Sequence, residues 1–469
     1  MRNRAGIAGR PTDMRCQRLL LGVAVLAVAG CSGSIGALAA HTGGPSPAAT
    51  PSGGRQLCGG ASDGYAWAEE VTLTGQARWR TSLATYPVDD RSVSSLEPLV
   101  DGPAAVFAQD GSVRELSLAS GRQLWSYAVG QSVSGMWQWR GLVVVLTGVV
   151  SEYAQLTGLD AATGAVRWRL TVPGTGVVSM PVATTDGGLA MVRADGTLQV
   201  VSMATGAVRW MRPDASWLSL STMGSEETTT VNGLSASADA QGLTAAGDVL
   251  IAVGNYGTIG YDDRTGRQRW EIASRLALPV GPQPLFADGD VVLASGNGGY
   301  VQFDALSAIA PASGRVAWQA VFNSPQDLLV LPVAGPAGVA VAAGRGLYLL
   351  DPRTGRQRWR ESASADSPEL VGASAVVTIE EDSGGGYRVL DRNAADGRVR
   401  WSVPGLSQSA MAAGLVFVQN PTVPALDAYR LSSGALAWQA PFPAGYLVRL
   451  AVVPGGVLVQ ALVNPCPAP

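Results

Sequence analysis

Thr163-Gly164-Ala165-Val166-Arg167-Trp168 and Thr354-Gly355-Arg356-Gln357-Arg358-Trp359 are two copies of one phrase, and that phrase decides the fold. The same glycine-to-tryptophan step occurs at Gly75 and Trp79, Gly121 and Trp125, Gly206 and Trp210, Gly266 and Trp270, Gly314 and Trp318, Gly397 and Trp401, and Gly434 and Trp438. Nine of the 13 tryptophans therefore stand in one local context. Glycine supplies the positive φ of a tight hairpin turn, and the Thr or Ser before it can hydrogen-bond the local backbone. Asp160, Asp262, Asp351 and Asp391 stand a few residues upstream and read as turn residues whose carboxylates accept turn amides. After the glycine, the alternation of Val166 with Trp168, or Val399 with Trp401, has the period of a half-buried strand. A Trp at one offset after each turn is placed to pack against the neighbouring unit.

From Gly75 to Gly434 the steps between glycines are 46, 43, 42, 60, 48, 41, 42 and 37 residues. That spacing suits four short strands with their turns, the unit of a propeller blade. Each unit also holds a strand that is apolar on both faces, such as residues 142–146, 248–253, 338–341 and 415–418, which belongs in the buried interior of a blade. The ends are complementary. Residues 65–83 form a hairpin with no strands before it, and 446–462 form two strands with no Gly-x-x-x-Trp after them. Combined, they complete one blade and leave no open sheet edge in the ring. The expectation is an all-β chain, a single β-propeller of four-stranded antiparallel blades, with the repeat count giving nine. The long fourth step reads as an insertion over residues 214–246 on one face.

The N-terminus reads as an export signal, residues 1–30. Arginines precede an apolar run at 19–30 that is too short to span a bilayer as a helix, and either Met1 or Met14 can be the start. Val28-Ala29-Gly30-Cys31 has the form of a bacterial lipobox, which makes Cys31 the expected lipidated residue. A Gly/Ser/Pro/Ala tether follows over residues 31–57, with a mean span of about 25–30 Å as a flexible coil. The propeller occupies 58–469. Export places the remaining cysteines, Cys58 and Cys466, in an oxidising compartment, just before the first strand and just after the last. A closed ring makes these ends neighbours, so a Cys58–Cys466 disulfide is expected.

Composition excludes several chemistries. All 33 basic residues are Arg, so no Lys can act as base, Schiff-base former or phosphate clamp. Removing residues 1–30 takes away five Arg and one Asp and moves the net charge from −3 to −7, which argues against a nucleic-acid partner. The one histidine, His41, lies in the tether without a second His to complete a metal site. No catalytic, cofactor-binding or metal-ligating residue is assigned.

The phrase Leu-Asp-x-x-Thr-Gly-x-x-x-Trp at 159–168 and 350–359 resembles the repeat of pyrrolo-quinoline-quinone (PQQ)-type propellers. With the lipobox and the split terminal blade, the chain is similar to the BamB-like lipoprotein family of outer-membrane assembly scaffolds. That resemblance implies an eight-bladed ring without enzymatic activity, one blade fewer than the repeat count. It also implies an alternative, since PQQ-dependent dehydrogenases share the repeat. Their adjacent Cys-Cys pair and ring histidine have no counterpart here. The expected role is a lipid-anchored, extracytoplasmic, non-catalytic scaffold that binds a protein partner in cell-envelope assembly. The alternative is a small-molecule or glycan site in the central funnel, with Trp137, Trp139 or Trp217 stacking on a ring.

Overall fold

The computed structural model describes residues 63–87, 96, 98–109, 111–148, 154–172, 181–193, 195–213, 228–231, 234–237, 242–254, 257–273, 276–277, 286–287, 289–295, 305–322, 329–343, 346–362, 367–381, 386–405, 409–420, 423–442 and 446–463. The chain is all β there, nine four-stranded antiparallel blades arranged as a β-propeller. The repeat count is therefore the right one, and the family precedent of eight is exceeded by a full unit.

In chain order, blade 1 opens with Leu99–Asp101 and ends with Gln123–Ala128; blade 2 runs from Val133–Trp139 to Val166–Val172. Blade 3 ends with Val208–Arg212, blade 4 with Gln268–Ile272, blade 5 with Val316–Val321 and blade 6 with Gln357–Ser362. Blade 7 runs from Ser367–Val371 to Val399–Pro404, and blade 8 from Ser409–Ala412 to Leu436–Pro441. In blade 5 the first strand is split into Leu276–Ala277 and Phe286–Ala287, both paired to Asp290–Ser295. Blade 9 takes Tyr446–Val453 and Gly456–Val463 from the end of the chain and Asp63–Thr72 and Ala77–Pro87 from its beginning. The junction is an eight-pair antiparallel ladder from Tyr65 opposite Val463 to Thr72 opposite Gly456.

Burial follows strand position. First strands of successive blades approach one another and line the axis. Second strands are apolar on both faces because blades pack on both: every residue of Gly338–Ala343 is buried. Fourth strands are more exposed, and Val166–Val172 alternates half-buried with exposed residues up to its buried end. The core is therefore no single mass but nine layers, one in each seam between blades. Leu306, Ala308 and Trp318 of blade 5 meet Val339, Val341 and Leu350 of blade 6 in one of them. In another, Ala68, Trp79 and Leu458 of blade 9 meet Ala105, Phe107 and Leu116 of blade 1.

Within the stretch 214–246, Thr228–Val231 pairs with Leu234–Ser237 as a separate two-stranded sheet, and Gly242–Ala246 is the first strand of blade 4.

Candidate functional site

The repeat phrase builds the seams. Each repeat tryptophan reaches into the next blade, where its indole N–H donates to a backbone carbonyl: Trp79 to Leu118, Trp125 to Ala161, Trp168 to Met203, Trp210 to Asp263 and Trp270 to Pro311. Trp318 donates to Pro352, Trp359 to Ala394, Trp401 to Leu431 and Trp438 to Leu73, and the nine distances span 2.5–2.9 Å. The ring lies on the turn glycine of that next blade. All nine turn glycines have φ between +64° and +83°, and a Cβ on any of them would sit 2.4–2.7 Å from the indole. Two constraints thus select glycine at the same position: the left-handed backbone and the flat ring above it. Trp438 on Gly75 and Trp79 on Gly121 carry this chain of contacts across the join of N- and C-terminal strands.

The residue before each tryptophan was not singled out in the sequence, and it matters. The register shifts at that residue in all nine outer strands, so the period-two reading is interrupted by a β-bulge there. Six bulge residues are Arg, and each reaches a carboxylate: Arg78 to Glu70, Arg167 to Asp160, Arg209 to Asp186, Arg269 to Asp248 and Asp262, Arg358 to Asp351, and Arg400 to Asp391. The other three are Leu124, Ala317 and Ala437, in blades 1, 5 and 8. Aligning the nine copies by their tryptophans shows this column directly.

Asp160, Asp262 and Asp351 are the turn residues expected: each accepts from the Thr before the turn glycine through both amide and hydroxyl. The paired Arg and these donors hold all three carboxyls below the usual range, Asp351 at about 2. Asp391 is different. The equivalent turn position, four residues before Gly397, is Asn393, whose side chain accepts the Ala395 amide. Asp391 lies in Tyr387–Asn393, opposite Trp401, with no exposed surface. Its carboxylate receives Nε and Nη2 of Arg400 at 2.6 and 2.8 Å. Burial raises the Asp391 pKa while Arg400 pulls it back.

Arg400→Ala is expected to destabilise the protein by about 2–3 kcal/mol at neutral pH, below the full range for a buried pair because Arg400 is itself partly solvated. An acid whose folded-state pKa is raised loses stability as pH rises, so the deficit should shrink as pH falls and the carboxyl takes up its proton. Urea unfolding of wild type and variant at pH 4 and pH 7 measures the difference.

The tryptophans offered for ring stacking are differently placed. Trp137 and Trp139, on Val133–Trp139, pack against the apolar layer between blades 2 and 3. Trp139 lies over Gly187 of blade 3, and the Arg140 guanidinium covers its ring at 4.9 Å. Trp217 and His41 fall outside the described residues, as do Cys31, Cys58 and Cys466. On the first strand of blade 7, Glu369 occupies a bulge between Pro368 and Leu370, and burial pushes its pKa up to about 7. Among the described residues there is no cluster of three or more His, Cys, Asp or Glu able to hold a metal ion, and no helix long and apolar enough to cross a membrane.

The outer edges are the remaining surface with character. Gln123–Ala128, Val316–Val321 and Leu436–Pro441 contain no charged residue, and they are the three without an arginine at the bulge. They expose Leu124, Val316, Val321 and Leu436, with Val321 the most open at 59%. Natural sheets ordinarily protect such edges with charge, so three bare ones around a single ring are informative.

The sequence profile described as "Outer membrane protein assembly factor BamB" matches residues 109–238 and 304–459, more than half of the chain. The chain belongs to the BamB family. No curated protein matches it in sequence. Among solved structures, BamB from Moraxella catarrhalis aligns at 20% identity over 69% of this chain and 88% of its own, with a TM-score of 0.41. The computationally designed Ika8 protein aligns at 13% identity, covering 72% and 93%, with a TM-score of 0.44. The quinohemoprotein alcohol dehydrogenase from Comamonas testosteroni aligns at 12% identity, covering 78% and 73%, with a TM-score of 0.39. The BamB family membership agrees with the propeller built from the repeat phrase.

Proposed function

We propose that the protein is a non-catalytic scaffold of the cell envelope, tethered to the membrane by lipid on Cys31 and held on the extracytoplasmic side. It recruits a protein partner by strand addition to the uncharged outer edges. The observation that carries this reading is the edge Val316–Val321, an exposed outer strand with apolar ends and no charge. An incoming strand would gain main-chain hydrogen bonds there and bury Val316 and Val321. Family membership supports an envelope role, and the net charge of the exported part disfavours nucleic acid.

Two measurements test it. Metabolic labelling with palmitate should mark the protein, and Cys31→Ser should abolish the label. Photo-crosslinkers placed at Gln319 should capture an envelope protein, and Val316→Lys with Val321→Lys should reduce that capture at least tenfold while leaving the melting temperature within about 2 °C. Undiminished capture by the charged edge would refute strand addition at this site.

A further inference from the structure

The nine carbonyls that receive the indoles lie in one structural position, and eight belong to apolar residues: Leu118, Ala161, Met203, Pro311, Pro352, Ala394, Leu431 and Leu73. The ninth is Asp263, between blades 3 and 4. It is 3% exposed, and its Oδ2 is buried with no hydrogen-bond partner. A carboxylate so placed is a defect in a seam whose sister seams use hydrocarbon.

Its surroundings do not compensate. Blade 3 presents Asp186, from the turn before its second strand, and Arg209 from the outer strand. Blade 4 presents Asp248 and Asp262. Arg209 is engaged by Asp186 at 2.6 Å, and Arg269 by Asp248 and Asp262, also at 2.6 Å. Arg212 spends both Nε and Nη2 on the Gly266 carbonyl. The nearby arginines are thus committed to other acceptors, while three carboxylates add repulsion. Burial first and then the three carboxylates raise the Asp263 pKa above the ordinary 3.8, against a smaller pull downward from Arg209. The seam is also where the chain departs from Val208–Arg212 to form the separate hairpin Thr228–Val231 and Leu234–Ser237 before re-entering at Gly242.

We propose that Asp263 makes the seam between blades 3 and 4 a proton-controlled joint, tight while the carboxyl is neutral and loosened when it ionises. The direction follows from linkage. An acid with a raised folded-state pKa contributes its full stability below the unfolded value and loses it as pH rises through the folded one. Opening at this joint would free the Trp210 indole without breaking the other eight seams.

The test uses the mature protein with Asp263→Leu, the residue that Leu118 and Leu431 already place at this position, and Asp263→Asn, the neutral isostere. Urea unfolding and hydrogen exchange, corrected for intrinsic rates, are followed from pH 4 to pH 8. At pH 7 Asp263→Leu should lower the unfolding equilibrium constant about tenfold or more, with the gain disappearing towards pH 4. Slower exchange should appear in Val208–Arg212 and Gln268–Ile272, and not at the Trp359 seam. If the Leu variant fails to fold, Asp263→Asn must show the same pH-dependent and seam-specific protection. A gain independent of pH, a gain spread evenly over all seams, or no gain in either variant would overturn the joint.

Discussion

Trp359→Ala should destabilise the protein by about 3–5 kcal/mol in urea unfolding, the range for deleting a buried aromatic side chain. Trp359 is 7% exposed, donates to the Ala394 carbonyl at 2.9 Å and covers Gly397 of the next blade. Two effects add: lost packing in the layer shared with Leu347, Leu349 and Val376, and an unpaired acceptor at Ala394. Trp359→Phe separates them. It keeps most of the ring contact and removes the N–H, so its loss should be about 1–2 kcal/mol. A Trp359→Ala variant within 1 kcal/mol of wild type would mean that the seam is not held by its tryptophan. Gly397→Ala attacks the same contact from the other side, forcing a methyl against the ring at a φ of +78°.

The contrast between these seams and the site explains what could be read in the sequence. The glycine and the tryptophan recur because every blade has the same neighbour, so a column of nine copies carries the geometry. The bulge arginines sit in the same column, but their partners come from different places: Glu70 across the strand, Asp160 at the turn, Asp186 near the first turn of its blade. A carboxylate's role therefore depends on which turn folds towards it, and Asp391 looked like a turn residue because Leu390-Asp391 imitates Leu159-Asp160. Two residues of displacement from the turn position, which Asn393 holds, bury it in the strand instead. Trp137 and Trp139 lie outside the repeat phrase, which made them resemble free stacking surfaces. The partner that covers Trp139 is Gly187, 48 positions away and one blade over. Asp263 is the sharpest case. Alone it is one more Asp in a turn, and only when the nine acceptor positions are superposed does its charge become an exception.

Reduction of the proposed Cys58–Cys466 bridge should be the largest single perturbation of the ring. Tyr65 pairs with Val463, so Cys58 is seven residues beyond one partner and Cys466 three beyond the other, at the same end of the ladder. Extended chain covers about 3.3 Å per residue, a length sufficient for the proposed bridge. The join matters because, among the described residues, Asp63–Thr72 is the one strand that pairs the N-terminal hairpin with the C-terminal strands. Unfolding can begin there by peeling one ladder, whereas any other blade is continuous in the chain. A cross-link enclosing some 400 residues removes denatured-state entropy worth up to ~6 kcal/mol in the chain-entropy treatment. Cys466→Ser should therefore lower stability by several kcal/mol, with hydrogen exchange accelerating first in Asp63–Thr72 and Gly456–Val463 and only later in blades 4 to 6. Equal stability with and without reductant, or both thiols found free in the exported protein, would show that the ladder and the Trp438–Leu73 contact close the ring unaided.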